Sequence, residues 1–117
     1  MTYQIELSSV AEAEADRAFL RLSQLMSIEQ VKVWYDGLFL AIGSLSRMPR
    51  RCSLARESEN FSQELRQLLY GRGRNCHRII FAIIETEDSA IVRILHVRHA
   101  SQQTVGDEPE GQNQDET

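Results

Sequence analysis

Two apolar runs in the last third of the chain, separated by four polar residues, constrain its fold more than any other feature. "CHRIIFAIIE" (76–85) and "AIVRILHVRH" (90–99) have the length and the Ile/Val content of strands. The polar residues "TEDS" (86–89) between them are typical of a turn. Strands joined by so short a connection pair antiparallel, so the sequence predicts a β-hairpin here.

The residues before this hairpin predict one further strand and two helices. "TYQIEL" (2–7) alternates apolar and polar residues with the period of a half-buried strand. Two capping-box patterns then mark helix starts, Ser9 with Glu12 and Ser27 with Gln30. Apolar residues recur at helical spacing after each box, and a proline ends the second stripe. Because almost no loop separates the two stripes, we expect an αα-hairpin.

The stretch between the second helix and the β-hairpin has a weaker pattern. "RRCSLARES" (50–58) predicts a short strand with Cys52 and Leu54 facing the same way. "ENFSQELRQLLYG" (59–71) fits a short helix ended by Gly71. The expected order is β-α-α-β-(α)-β-β. It describes an α+β domain whose antiparallel-rich sheet carries the αα-hairpin on one face.

The composition is that of one ordinary globular domain, with 42% hydrophobic and 26% charged residues. No basic flank followed by an apolar run stands at the N-terminus, and the longest purely apolar run (79–84) is too short to span a bilayer. We therefore expect a cytoplasmic protein. Cys52 and Cys76 are expected to be buried thiols rather than a disulfide framework.

The net charge of −4 hides two regions of opposite sign. Residues 101–117 hold five acidic and no basic residues, which predicts a flexible acidic tail after a domain over residues 1–100. Residues 47–78 hold eight arginines against three glutamates. Arginine suits phosphates and carboxylates, so this clustering predicts a basic face. The twelve arginines and single lysine also fit a compositional bias, which does not explain the clustering.

Basic side chains collect where the two strands of the hairpin meet. Strict alternation places His96 and Arg98 on the face of Val92 and Ile94, with His99 on the other face. Antiparallel pairing brings the end of the last strand beside the start of the preceding one, next to the turn "RGRN". The residues expected to converge there are Arg72, Arg74, His77, Arg78, His96, Arg98 and His99.

Three interpretations of this cluster remain open on spacing alone. It is a solvated cationic sheet edge that discourages edge pairing, a metal site, or an anion or RNA site. The metal site would use Cys76, His77, His96 and His99, and it is disfavoured because adjacent strand residues point apart. The concentration of arginine and histidine favours the third interpretation.

In order and spacing, residues 2–100 resemble the RelE/ParE superfamily of toxins from bacterial type II toxin–antitoxin systems, also called plasmid stabilisation proteins. The resemblance is carried by Arg66-Gln67-Leu68, by Gly71, by Arg78 before "IIFAII", and by "ILHVRH" at the strand end. The proline in "SRMPRR" (46–51) also stands where the family places one. The family often has a strand and a turn in the stretch that fits a short helix here.

The resemblance implies a toxin held inactive by a cognate antitoxin. RelE-like members cut mRNA in the ribosomal A site without a metal, whereas ParE-like members inhibit DNA gyrase without cleaving nucleic acid. A non-toxic binding module that keeps the fold is a further possibility. No cofactor, metal or membrane partner is expected.

Carried over by position, the resemblance gives a set of expected site residues. Arg78 would contact the scissile phosphate, Glu59 would match a general base, and Arg98-His99 stands where one nuclease subgroup has His-Tyr. The family's C-terminal tyrosine and its lysines are absent. The expected catalytic residues are Arg78, His99, Arg66 and Glu59, and the expected RNA-binding residues are Arg72, Arg74, His77, His96 and Arg98.

Each of these assignments has a structural alternative. Arg66 and Arg78 would instead pair with Glu64 or Glu85, and His96 would be a half-buried, hydrogen-bonded strand residue.

Overall fold

The computed structural model describes residues 2–101, which form a four-stranded mixed sheet with two helices on one face. The strands are β1 (Gln4–Leu7), β2 (Arg66–Tyr70), β3 (His77–Glu85) and β4 (Ala90–His99), and the helices are α1 (Ser9–Leu22) and α2 (Ile28–Gly43). The sheet order is β1-β4-β3-β2, with β1 parallel to β4 and the other pairs antiparallel. The expected α+β class is confirmed. Except for Ser101, the predicted tail lies outside the described residues.

The predicted β3–β4 hairpin is confirmed, and it lies at the centre of the sheet because its apolar side chains pack on both faces. The predicted strict alternation along β4 is wrong beyond Ile94. The register shifts by one residue, so that Ile80 pairs with His96 while Phe81 pairs with Ile94. This bulge brings Val97 into the same buried cluster as Ile94. Strict alternation would have placed Val97 on the opposite face, away from this cluster.

The two helices form the predicted αα-hairpin and pack on one face of the sheet through a buried cluster. That cluster includes Ala11, Ala15, Leu38, Ile42, Ile79, Phe81, Val92 and Ile94. The capping box of Ser27 and Gln30 is confirmed. The first cap is Ser8 rather than the predicted Ser9, and its hydroxyl accepts a hydrogen bond from the Ala11 amide. Neither helix is long and apolar enough to cross a membrane.

The segment between α2 and β2 differs from the prediction. Residues 50–58 and 59–65 contain short 3-10 turns instead of a strand and a helix, and the strand is β2, at Arg66–Tyr70. Cys52 is buried while Leu54 is 52% exposed, so the two do not face the same way. The amide of Ala55 donates to the Leu65 carbonyl (2.8 Å), which pairs this stretch with the outer edge of β2. The chain thereby crosses from the helix face to the other face, where a second cluster of Ala55, Leu65, Ile80 and Ala82 is buried.

Gly37 allows Tyr70 of β2 to approach α2 closely. The Tyr70 hydroxyl donates to the Trp34 carbonyl (2.8 Å), and a methyl group on Gly37 would overlap that hydroxyl. We expect Gly37→Ala to lower the free energy of unfolding by about 1–3 kcal/mol, although alanine favours helices. Urea denaturation measures the change. Gly43→Ala, which meets nothing within 4 Å, is the matched control and should not destabilise.

Candidate polyanion-binding site

The predicted basic face is divided between the two ends of the sheet. At the end where β3 stops, Arg50 makes a bidentate ion pair with Glu85 (2.8 and 3.2 Å), and Arg66 pairs with Glu64 (3.1 Å). The hydrogen bond from Arg50 holds the pKa of Glu85 below its ordinary value. The turn at 86–89 adds two more carboxylates. These carboxylates outnumber the two arginines, so this end does not attract a polyanion.

At the other end, the start of β3 lies beside the end of β4, as predicted. His77 pairs with His99 across the ladder, and Arg78 pairs with Arg98. Because directly paired residues share a face of the sheet, the two histidines lie on the helix face and the two arginines on the opposite face. The predicted cluster is therefore divided by the sheet, with the two histidines on one face and the two arginines on the other.

His77 is buried among neutral and cationic neighbours on the helix face. Its Nδ1 lies 2.9 Å from the Asn75 carbonyl, and its Nε2 lies 3.4 Å from Nη2 of Arg21. Since a guanidinium only donates, Nε2 accepts and Nδ1 carries the proton of a neutral ring. Burial, together with the nearby charges of His99 and Arg21, lowers the pKa of His77 to about 4. Its ring also packs edge-on against Trp34, with centroids 5.1 Å apart.

His99 links the end of β4 to the turn at residues 72–75, which we call the arginine turn. Its Nε2 donates to the Arg74 carbonyl, and its Nδ1 accepts from the Ser101 amide (3.1 Å). The His99 and His77 rings lie edge to face, with centroids 5.2 Å apart. His99 keeps part of its surface in solvent, so it is the histidine of this pair that a ligand reaches.

The arginine turn presents unneutralised charge beside His99. Gly71 and Gly73 have positive φ values of 96° and 57°, which let the chain reverse tightly here. Arg72 and Arg74 are exposed, and their guanidinium groups have no hydrogen bond or ion pair with any described residue. Their charge is available to an anion.

Arg78, the residue expected to contact the scissile phosphate, is enclosed on the opposite face. It is 3% exposed and makes a bidentate ion pair with Glu57, which is 0% exposed; one of the two bonds, Nη1 to Oε2, is 2.8 Å long. Its Nε donates to Oε1 of Gln67 (3.0 Å). The expected alternative of pairing with Glu64 or Glu85 is wrong, since Glu57 is the partner. Nothing local in the sequence indicated Glu57.

The other expected site residues occupy separate places. Arg66 shares the helix face with Phe81 and bonds the Cys52 carbonyl (2.6 Å) as well as Glu64, so its predicted pairing with Glu64 is confirmed. His96 is a half-buried strand residue bonded to Glu14 (3.3 Å), as its structural alternative predicted. Glu59 is exposed in the 3-10 turn that covers Arg78. The structure therefore does not bring Arg78, His99, Arg66 and Glu59 together on one face.

Two arginines that sequence reasoning missed lie near the histidines. Arg17 and Arg21 stand one turn apart in α1, and Arg21 reaches His77. Neither makes an ion pair with a described carboxylate. Their spacing was visible in the sequence, but nothing there indicated that the end of α1 lies beside the start of β3.

The described residues contain no group of three or more histidine, cysteine, aspartate or glutamate side chains that could hold a metal ion. No model of a known protein family matches the chain, and no curated protein is significantly similar to it.

Proposed function

We propose that this chain is a toxin of the RelE/ParE type that acts on mRNA bound to the ribosome. The observation that carries the proposal is the unneutralised charge of Arg72 and Arg74 beside His99, at the joined ends of β3 and β4. The order of strands and helices over residues 2–101 supports it. A cytoplasmic location and a cognate antitoxin follow from this proposal.

Cleavage of RNA by attack of its own 2′-hydroxyl requires a base, an acid and a cation that holds the phosphate, all at one place. A base takes the proton of the 2′-hydroxyl, O2′ bonds to phosphorus as the P–O5′ bond breaks, and an acid returns a proton to O5′. His99 is the candidate for proton transfer, because its ring is partly exposed at the end of β4 and the RNA hydroxyl would replace Ser101 as the partner of Nδ1. Arg72 and Arg74 are the candidates for holding the phosphate and its developing charge. Arg78 supports the strand end through Glu57 and is a positioning residue.

We expect purified protein to cut mRNA at codon-related positions in a translating extract, as read by primer extension. His99→Ala and the double variant Arg72→Ala/Arg74→Ala should each reduce cutting at least about 100-fold, because one removes proton transfer and the other removes the charge at the phosphate. Arg93→Ala is the matched control. Its side chain lies far along β4, paired with Glu6 (2.9 Å), so cutting should be unchanged.

Intact mRNA with verified folded protein would contradict the cleavage assignment. Arg78→Ala is not an informative variant here, because removal of a buried ion-pair partner is expected to destabilise the whole domain.

The second candidate function is inhibition of DNA gyrase by binding. It is favoured by the burial of Arg78 and by the internal bonds of His77, which leave His99 as the accessible proton-transfer group in this part of the described chain. A binding protein needs no complete set of acid and base. A supercoiling assay beside the extract separates the candidates: loss of supercoiling with intact mRNA supports gyrase inhibition.

The antitoxin is proposed to bind across the arginine turn and the helical hairpin. Arg72 and Arg74 call for acidic partner residues. A groove of about 360 Å³ between the helices, lined by Phe19, Leu20 and Tyr35 with Asp16, offers apolar surface to a partner side chain.

A further inference from the structure

The second half of α1 carries positive charge that no described carboxylate pairs with. Residues 17–28 contain Arg17 and Arg21 and no acidic residue. The two acidic groups nearest to Arg17 along the helix are engaged elsewhere, since Asp16 accepts from the Tyr35 hydroxyl (2.9 Å) and Glu14 accepts from the Val97 amide (2.9 Å). Like charges one turn apart repel, so this pair gains from an anion held between them.

Contacts connect these two arginines to the arginine turn. Nη2 of Arg21 lies 3.4 Å from His77, the His77 ring lies 5.2 Å from the His99 ring, and His99 bonds the Arg74 carbonyl. Arg17 continues the row about 6 Å further along the helix axis. The cations thus follow a line from the turn, over the joined strand ends, onto α1. We call Arg72, Arg74, Arg21 and Arg17 the cationic track.

The opposite face of the strand end is a poorer surface for a polyanion. Arg78 is enclosed by Glu57, and the covering 3-10 turn exposes the Glu59 carboxylate to solvent. Arg98, across the ladder from Arg78, is already engaged in an interaction. A phosphate on that face would meet two arginines that already have partners, Arg78 and Arg98, and would be repelled by the Glu59 carboxylate.

We propose that a single-stranded RNA lies along the cationic track, on the helix side of the strand end, with consecutive phosphates on Arg72, Arg74, Arg21 and Arg17. A single strand fits because the charges form a row that bends over an edge, which a flexible backbone follows and a duplex does not. The partly exposed His99 ring midway along the row offers a stacking surface to a base. This inference rests on the proposed function for its class of ligand, and it adds α1 to the site.

The test is fluorescence anisotropy with a labelled single-stranded oligouridylate of about 12 nucleotides, measured over a series of salt concentrations. Removing one arginine that binds a phosphate should lower the slope of log affinity against log salt by about 0.7. We expect Arg17→Ala/Arg21→Ala to lower the slope by about 1.4 and to weaken binding several-fold at physiological salt. Arg93→Ala, with the same change of charge per residue on the far part of β4, should match the wild-type protein.

Two results would overturn the cationic track: no binding of oligouridylate by the wild-type protein, or an unchanged slope in Arg17→Ala/Arg21→Ala with a lowered slope in Arg98→Ala. The latter would place the RNA on the face of the sheet opposite the helices, where Arg98 lies. Failure of the proposed function would give a different result. Oligouridylate binding would still depend on the cationic track, but mRNA in the translating extract would stay intact. Thermal melting of each variant checks that the protein is folded.

Discussion

Replacing Glu57 by alanine should lower the free energy of unfolding by about 3–5 kcal/mol, because it leaves the Arg78 guanidinium buried without its carboxylate. A domain of this size has a total of about 5–15 kcal/mol, so the variant would be close to unfolding. The midpoint of thermal unfolding, followed by circular dichroism, should fall by roughly 10–25 °C. Arg78→Ala should have a similar effect, since it isolates the other charge.

A paired replacement separates this cause from a simple loss of packing. Glu57→Leu/Arg78→Met removes both charges and keeps apolar volume, so it should be markedly more stable than either alanine variant. A Glu57→Ala protein within about 1 kcal/mol of the wild type would show that water reaches the pair and screens its charges. This result also matters for function, because loss of activity in Arg78→Ala would then report a role beyond stability.

Acidification should destabilise the protein through His77. Its pKa is about 4 in the folded chain and about 6.5 when unfolded, so between these values the unfolded chain binds the extra proton. The contribution of neutral His77 is complete above about pH 6.5 and is lost as the pH falls towards 4. At pH 4.5 we expect a loss of about 2–3 kcal/mol relative to pH 7.

Urea denaturation at several pH values measures this loss, and His77→Leu isolates it. Carboxylates also titrate in this range, so the informative quantity is the difference in slope between the wild type and the variant. His99→Ala, which keeps His77, should retain most of the wild-type slope. Equal slopes in the wild type and His77→Leu would mean that His77 is protonated in the folded state at little cost.

The central elements of the fold were predictable because their signals are local. The apolar runs of β3 and β4 are bounded by turn residues, and only antiparallel pairing suits a four-residue connection. The capping box at Ser27 likewise marks the start of α2 through bonds between residues three apart. These elements follow from the sequence without knowledge of what they pack against.

The segment from 50 to 58 was mispredicted, and that from 59 to 71 was left open between a helix and a strand, because the structure of both depends on distant partners. Leu65, Leu68 and Leu69 fit a helical stripe as well as a strand, and pairing of β2 with β3 decides between them. The bulge in β4 is similar, because it depends on whether Val97 reaches the core formed by the helices. Local propensity carries no information on either choice.

The sequence predicted where in the fold the candidate site lies, but not which side chains contact one another there. Pairing of β3 with β4 placed the start of β3 beside the end of β4 in advance, whereas the enclosure of Arg78 required Glu57 from 21 positions earlier in the chain. The contribution of Arg21 required the packing of α1 against the sheet. Side chains that meet through tertiary packing leave no spacing pattern in one sequence.

The pairing of β1 with β4 has a consequence for how the protein is made. Gln4, which is synthesised before the rest of the domain, lies in the parallel ladder opposite Ile91, so β1 has no partner strand until almost the whole domain has been translated. The αα-hairpin can form early, but the face of the sheet on which it packs cannot. The growing chain therefore remains without its completed sheet until the last strand has left the exit tunnel. Any partner that binds only the finished sheet meets the protein after synthesis of residues 90–99, and a chain that stops before them lacks that binding surface.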